Sequence, residues 1–328
     1  MNEKVLRNCD IIAANTLTAS KVFAWDYNYS HVAFAASYPD IAADPERVKN
    51  AKKIITNKNS FLSSLAQSST RTVVAAQIMK APDLEAAMLH IKEIYKILKT
   101  KFIASDYTAI ASVLIYDSGK DPVALTEKMR KIYDLMNKKH FLLTSYNDLA
   151  IVALMASSDK TAEALVEESE AIFRGIKGDF FSKGDAYTIS NLLALYDEPA
   201  EAKCRAAVTI RNELKAAKIR FTSYGTAAVI APLAVISLTL NDNMLVSEIV
   251  SAEKYLSTKK VLGGVFGVGK EVRSMLAASA VTRAFSDEDR ISTIGATASA
   301  VAAAIAEEVA VMACICACTA ASASSASS

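Results

Sequence analysis

The chain has 328 residues, 37 Lys and Arg against 35 Asp and Glu, and 52% hydrophobic residues with only 10 Gly and 6 Pro. That length can bury a large core, and so few breakers amid so much Ala and Leu favour helix almost throughout. Balanced charge, basic runs no longer than pairs such as Lys52-Lys53, and a single Trp argue against a nucleic-acid-binding face.

Glu3 to Phe23 reads as a first helix, with Val5, Leu6, Cys9, Ile12 and Leu17 near a 3.6 period. Phe23-Ala24-Trp25-Asp26 is an aromatic junction to a short apolar run, Tyr29 to Tyr38, which ends at Pro39. Asp44-Pro45-Glu46 starts a helix, with Asp as N-cap and Pro at the first helical position. It runs to about Asn57. Phe61 and the Ser-rich stretch Ser63 to Ser69 form the next junction, and Thr72 to Met79 the next apolar helix. Asp83 to Thr100 places Leu84, Met88, Ile91, Tyr95 and Leu98 on one face. Asp121-Pro122 starts a matching helix, and Thr161 to Ile176, Pro199 to Lys218 and Asn243 to Ser257 fill the same slot.

Between these amphipathic helices lie others that are apolar nearly all round: Ala109 to Ile115, Leu149 to Ala156, Ile189 to Leu195 and Ala227 to Leu240. A helix with no polar face must be buried on more than one side, so the amphipathic helices belong outside and the apolar ones inside. Pro232 is expected to kink the last apolar run.

A short pattern marks the junctions. An aromatic residue, one to three spacers and a Ser or Gly precede each apolar run, starting at Phe102, Phe141, Phe181 and Phe221. Aligned on Ser105, Ser145, Gly184 and Ser223, the copies are 40, 39 and 39 residues apart. The expected fold is therefore all-α: stacked αα-hairpin repeats of about 40 residues, six or seven in number. An α-solenoid or HEAT-like superhelix is the first architecture, and a closed α/α toroid is its alternative. The helical-repeat domain is expected over 1–290. An Ala-rich helix and a disordered Ser/Ala tail follow over 291–328.

The Trp25 junction, the Phe-x-x-Ser junctions and the Ala/Ser-rich end together resemble the bacterial domain of unknown function family numbered 4003. The resemblance spans most of the chain. It implies a bacterial, all-helical, soluble protein and lends no activity and no functional residues.

Candidate site residues come from the junctions: Ser105, Asp106, Tyr107, Tyr146, Asp148, Asp185 and Tyr224. As a site they line a shared groove or pocket. The competing account makes the serines helix N-caps, since Ser105–Thr108, Ser145–Asp148 and Ser223–Thr226 have capping spacing, with the leading Phe as a staple between hairpins. Gly264 to Lys270 satisfies GxxxxGK, but Glu271 stands where a Ser or Thr should meet magnesium and no strand precedes it, so it reads as another junction. His31, His90 and His140 have no metal-ligand spacing, and His140 suits a helix C-terminus. Cys314, Cys316 and Cys318 suit a soft metal such as Cu(I), a modified segment or an inert tail.

No cofactor, metal, nucleic-acid partner or membrane span is expected. Isolated Cys9 and Cys204 and an N-terminus without a signal-type apolar core point to the cytoplasm. The leading functional expectation is a scaffold that binds a protein or peptide. The alternatives are an enzyme or ligand-binding protein with a pocket at the centre of the curl, and a carrier of a modified tail.

Overall fold

The computed structural model describes residues 1–24, 30–60, 63–180, 182–221, 226–264 and 267–286. Among them the chain is all-helical, with fourteen α-helices, three 3-10 turns and no strand. Trp25, Phe61, Phe181, Ser223, Tyr224, Phe266 and the whole 291–328 segment with its three cysteines lie outside the described residues.

Helices pair in sequence. α1 (Glu3–Val22) packs on α2 (Ser30–Ser37), α3 (Pro45–Lys58) on α4 (Ser68–Ile78), and α5 (Leu84–Leu98) on α6 (Asp106–Ser118). α7 (Pro122–Lys139) packs on α8 (Leu149–Ser157) and α9 (Ala162–Ile176) on α10 (Lys183–Leu193). α11 (Ala200–Ala216) packs on α12 (Ile230–Ser237) and α13 (Asp242–Ser257) on α14 (Lys270–Phe285).

The odd-numbered helices bury one stripe. In α5 that stripe is Leu84, Ala87, Met88, Ile91, Ile94, Tyr95 and Leu98, the spacing of one helical face. The even-numbered helices have no such stripe, because every residue from Leu149 to Ala156 of α8 and from Ile230 to Ile236 of α12 is buried. Sidedness in the sequence thus becomes position in the fold. Each odd-numbered helix touches the next odd one, from α1 to α13, and each even-numbered helix touches the next even one, from α2 to α14.

The first and last of the described helices also meet. α1 packs against both α13 and α14. The Asn2 backbone N–H donates to Glu248 Oε2 at 2.8 Å, and Asn8 Nδ2 donates to Ala280 O at 3.0 Å. Lys259 Nζ donates to Asp10 Oδ1 at 3.0 Å. The buried apolar side chains form one contiguous cluster from Val5 to Val281.

Helix ends are closed by specific groups. Asp44, Asp83 and Asp121 accept from backbone N–H groups of α3, α5 and α7, as their sequence context predicts. Basic residues of the odd helices close the other ends of the even ones. Arg47 of α3 reaches Met79 O and Ala81 O, and Lys128 of α7 reaches Ser158 O at 2.7 Å. Lys203 of α11 and Lys160 reach Tyr196 O beyond α10, at 2.7 and 2.9 Å. Cations there complement the partial negative charge of a helix C-terminus.

Pro232 does not kink a continuous helix. The run opens as a 3-10 turn, Thr226–Val229, and Pro232 then falls in the first turn of α12, where its missing N–H has no intrahelical partner to lose.

Candidate functional site

The junctions lie between an odd helix and the following even one, and Ser105, Ser145 and Ser182 are caps. Ser105 Oγ accepts from the Thr108 backbone N–H at 3.1 Å, and the Thr108 hydroxyl donates to Ile103 O at 2.7 Å. Ser145 Oγ accepts from Asn147 N–H at 3.2 Å, while Asp148 Oδ2 accepts from Ser145 N–H at 2.7 Å. In the next copy the cap is Ser182, whose Oγ accepts from Asp185 N–H at 3.2 Å, and not Gly184. An alignment on Gly184 is therefore two residues out of register, because the cap needs a side-chain oxygen that glycine lacks.

The leading aromatic residue is a staple in one copy and not in another. Phe102 is buried and meets Tyr133 edge-on, with ring centroids 6.1 Å apart. Phe141 is 69% exposed. It stands four residues before its serine, where Phe102 stands three before its own. In its place the His140 ring packs against Phe173 and Tyr187, both at 5.0 Å, and its Nε2 lies 2.5 Å from Glu170 Oε1.

The candidate residues fall into separate neighbourhoods. Asp106 and Tyr107 open α6 and are half-buried. Tyr146 stacks on Tyr133, 5.6 Å between ring centroids. Asp148, in the same turn as Tyr146, is buried, and desolvation pushes its pKa up to about 6 against the opposing effect of the Ser145 N–H. Tyr187 behind it is pushed to about 12, chiefly by burial. Asp185 belongs elsewhere. Burial, and then the charge of Glu271 at the start of α14, raise its pKa to about 6. Tyr224 lies outside the described residues.

Asp185 lines a cavity of about 450 Å³ between the α9–α10 and α11–α12 pairs. Among the described residues its carboxylate accepts no side-chain hydrogen bond and forms no ion pair. The floor is apolar, made by Phe180, Leu214, Ile219, Phe221 and Ile230, all buried. Arg211, Lys215 and Arg220 supply three cations around it, and the Arg211 guanidinium sits over the Phe180 ring at 5.1 Å. An apolar bowl with a few polar groups at its margin is the usual make-up of a small-molecule site.

Sequence reasoning named Asp185 and missed the rest of this cavity. Arg211, Lys215 and Arg220 read as solvated positions on an amphipathic helix and its end, and no local pattern sets them apart. Glu271 counted there only as evidence against a phosphate loop. In the fold Glu271 Oε1 accepts from the Thr226 hydroxyl at 2.6 Å.

The glycine cluster has a packing explanation. Gly264 has φ +80°, and a Cβ on Gly263 would lie 1.7 Å from Ser257 O. A Cβ on Gly267 would lie 2.3 Å from Gly263 O. Lys270 begins α14 and donates to Lys218 O at 3.3 Å, and no strand is present among the described residues. His31 is largely buried, which lowers its pKa, and its Nε2 has no hydrogen-bond partner among the described residues. His90 is exposed, edge-on to Tyr116. Among the described residues no three His, Cys, Asp or Glu side chains gather as a metal site, and no helix is long and apolar enough to cross a membrane.

A family model described as Protein of unknown function (DUF4003) matches residues 17–310. No curated protein and no solved structure matches the chain.

Proposed function

The chain belongs to the DUF4003 family, and from its geometry we propose a closed ring of seven αα-hairpins that binds a small organic anion at its junction end. An open superhelix keeps its first and last hairpins apart. Here Asn2 and Glu248, and Asn8 and Ala280, are hydrogen-bonded, which supports the toroidal arrangement over the solenoid. The helical-repeat unit then spans the described chain.

The observation that carries the ligand reading is the Asp185 carboxyl, unpaired among the described residues and half-buried over an apolar floor, with Arg211, Lys215 and Arg220 around the same cavity. The ligand class follows from the lining. An anionic head, carboxylate or phosphate, meets the guanidinium groups. An apolar body covers Phe180 and Ile230, and a hydrogen-bond donor faces Asp185.

The pocket is preferred to a peptide-binding groove on two grounds. A surface groove of about 890 Å³ between α7 and α9 is lined by charges such as Glu127, Lys131, Asp134 and Glu163. An apolar peptide stripe has no counterpart there, and Lys131 already pairs with Glu163 at 2.6 Å.

Native and denaturing mass spectrometry of the protein from its own host tests this. A small mass lost on denaturation, and absent from an Arg211→Ala/Arg220→Ala variant, is the expected result. A bare protein that is not stabilised by any of a panel of aromatic and aliphatic carboxylates and phosphomonoesters would overturn it. A co-migrating protein would restore the scaffold reading.

Catalysis is a second reading, favoured by one observation. A carboxyl with a pKa near 6 beside a second carboxylate, Glu271, is poised to exchange a proton near neutral pH. Turnover of the bound ligand that is abolished in Asp185→Asn, with binding retained, is its signature.

A further inference from the structure

Neighbouring odd helices run in the same direction. Lys131 of α7 meets Glu163 early in α9, and His140 just after α7 meets Glu170 later in α9. Likewise Glu248 of α13 meets Asn2 before α1, and Lys259 just after α13 meets Asp10 within α1. The C-terminal ends of these helices, and the junctions that follow them, therefore share one end of the molecule.

That end is basic. All seven odd helices carry a basic residue in their last turn. Six carry an acid in their first turn, and Asp121 caps the seventh. The terminal turns of the odd helices thus place bases toward the junction end and acids toward the other. At the junction end Lys138, Lys139, Lys177, Lys218 and Lys260 are exposed and form no ion pair among the described residues, and Asp179 is an exposed acid among them.

The same end presents apolar side chains to water. Phe141 is 69% exposed and Leu142 82%, directly after Lys138-Lys139-His140. Ile103, 58% exposed, lies on the neighbouring junction, which the Phe102–Tyr133–Tyr146 ring contacts hold beside the first. The support beneath is firm. His140 N–H donates to Met136 O at 2.8 Å, Thr144 N–H donates to His140 O at 2.9 Å, and the His140 ring is wedged between Phe173 and Tyr187. The apolar pair is thus held outward. At the opposite end Ile41, Val123 and Met244 are exposed singly, close in sequence to Asp40, Asp121 and Asp242.

We propose that the junction end docks on an anionic lipid bilayer. Phe141 and Leu142 enter the boundary between headgroups and acyl chains, Ile103 lies alongside, and Lys138, Lys139 and Lys177 meet the lipid phosphates. Exposed apolar tips beside unpaired lysines suit a surface that is apolar just beneath a negative layer. A nucleic acid makes use of the lysines but not of adjacent Phe and Leu tips. A second copy of the chain brings two basic ends together.

The experiment is co-sedimentation of the full chain with vesicles of phosphatidylcholine, alone or mixed with phosphatidylglycerol. Binding is expected only to the mixed vesicles, weakening as salt is raised. Phe141→Asp/Leu142→Asp should reduce it by about tenfold or more, and Lys138→Glu/Lys139→Glu by a similar factor, since each change removes one of the two attractions. Both variants should keep the wild-type melting temperature, as all four side chains are exposed. Phe141→Trp adds a readout in the folded protein, and its emission should shift to the blue with mixed vesicles only. The proposal is overturned if wild type leaves mixed vesicles in the supernatant, or if the Asp variant binds them equally well. A self-associating wild type whose Asp variant is monomeric would overturn it in favour of a second copy. Retention on single-stranded DNA or RNA that survives the Asp substitutions would overturn it in favour of nucleic acid.

Discussion

The Tyr255 hydroxyl donates to Asp10 Oδ1 at 2.6 Å, joining side chains that stand 245 residues apart in the chain. This hydrogen bond is the first cause of the lowered Asp10 pKa. A double-mutant cycle of Asp10→Ala and Tyr255→Phe in urea unfolding should give a coupling of about 0.5 kcal/mol, the size expected of an exposed polar pair. Strict additivity of the two substitutions would mean that α1 and α13 are apart in solution.

Asp148 should make stability fall as pH rises. Its folded pKa, about 6, is above the unfolded value of about 3.9. The fold therefore favours the protonated acid, an advantage complete below pH about 4 and lost as pH passes through about 6. Asp148→Asn keeps an oxygen for the Ser145 N–H and removes the buried charge. Relative to wild type, the variant should gain on the order of 1–2 kcal/mol between pH 4 and pH 7. Denaturant titrations at the two pH values measure this difference, and a constant offset would show that Asp148 is hydrated in the native state.

Lys203 has a fully buried side chain that donates to Glu168 Oε1 and to Tyr196 O, while Lys160 donates to Glu168 Oε2 at 3.1 Å. Desolvation lowers the Lys203 pKa against the pull of Glu168. Glu168→Ala removes the counter-charge of the buried Lys203 ammonium, while Lys160 keeps Asp197 at 3.1 Å, and should cost about 3 kcal/mol. Lys203→Met keeps the stem, leaves Glu168 paired with Lys160, and should cost about 1–2 kcal/mol. Equilibrium unfolding of both variants gives the order, and a larger loss for the methionine variant would contradict it.

Capping and ligand binding should separate cleanly. Ser105→Ala and Ser182→Ala each remove a cap and should cost about 1 kcal/mol without changing ligand affinity. Arg211→Ala should do the reverse, lowering affinity for the anion by roughly tenfold at nearly unchanged stability. Thermal melts with and without ligand place each variant in one class, and an affinity loss in Ser105→Ala would put the junction serine in contact with the ligand.

The features legible from sequence are those set by near neighbours. Asp44, Asp83 and Asp121 announce helices because an N-cap is a local event. The apolar run Leu149 to Ala156 announces burial because it has no polar face. Ser105 and Ser145 are caps by spacing, as expected. Phe141 was misplaced because residue type does not fix burial, and one extra residue in the junction turns the ring outward and gives its slot to His140. Asp185 could be singled out only as a junction residue, since Arg211, Phe180 and Glu271 approach it through folding. The basic end was hidden for the same reason. Each odd helix contributes only one or two basic residues, so no run of charge appears in the sequence even though the fold collects them.

The packing of α1 on α13 and α14 also determines how the molecule bears mechanical load. Tension applied between residue 2 and residue 286 falls first on the contacts that join the two ends, Asn2 to Glu248 and Asn8 to Ala280 among them. In an optical trap this should appear as one initial rupture at the highest force. The helix pairs should then peel away at lower forces, because each has lost a neighbour on one side. On relaxation the last event to recover should be the joining of the ends, which waits until every intervening pair is in place.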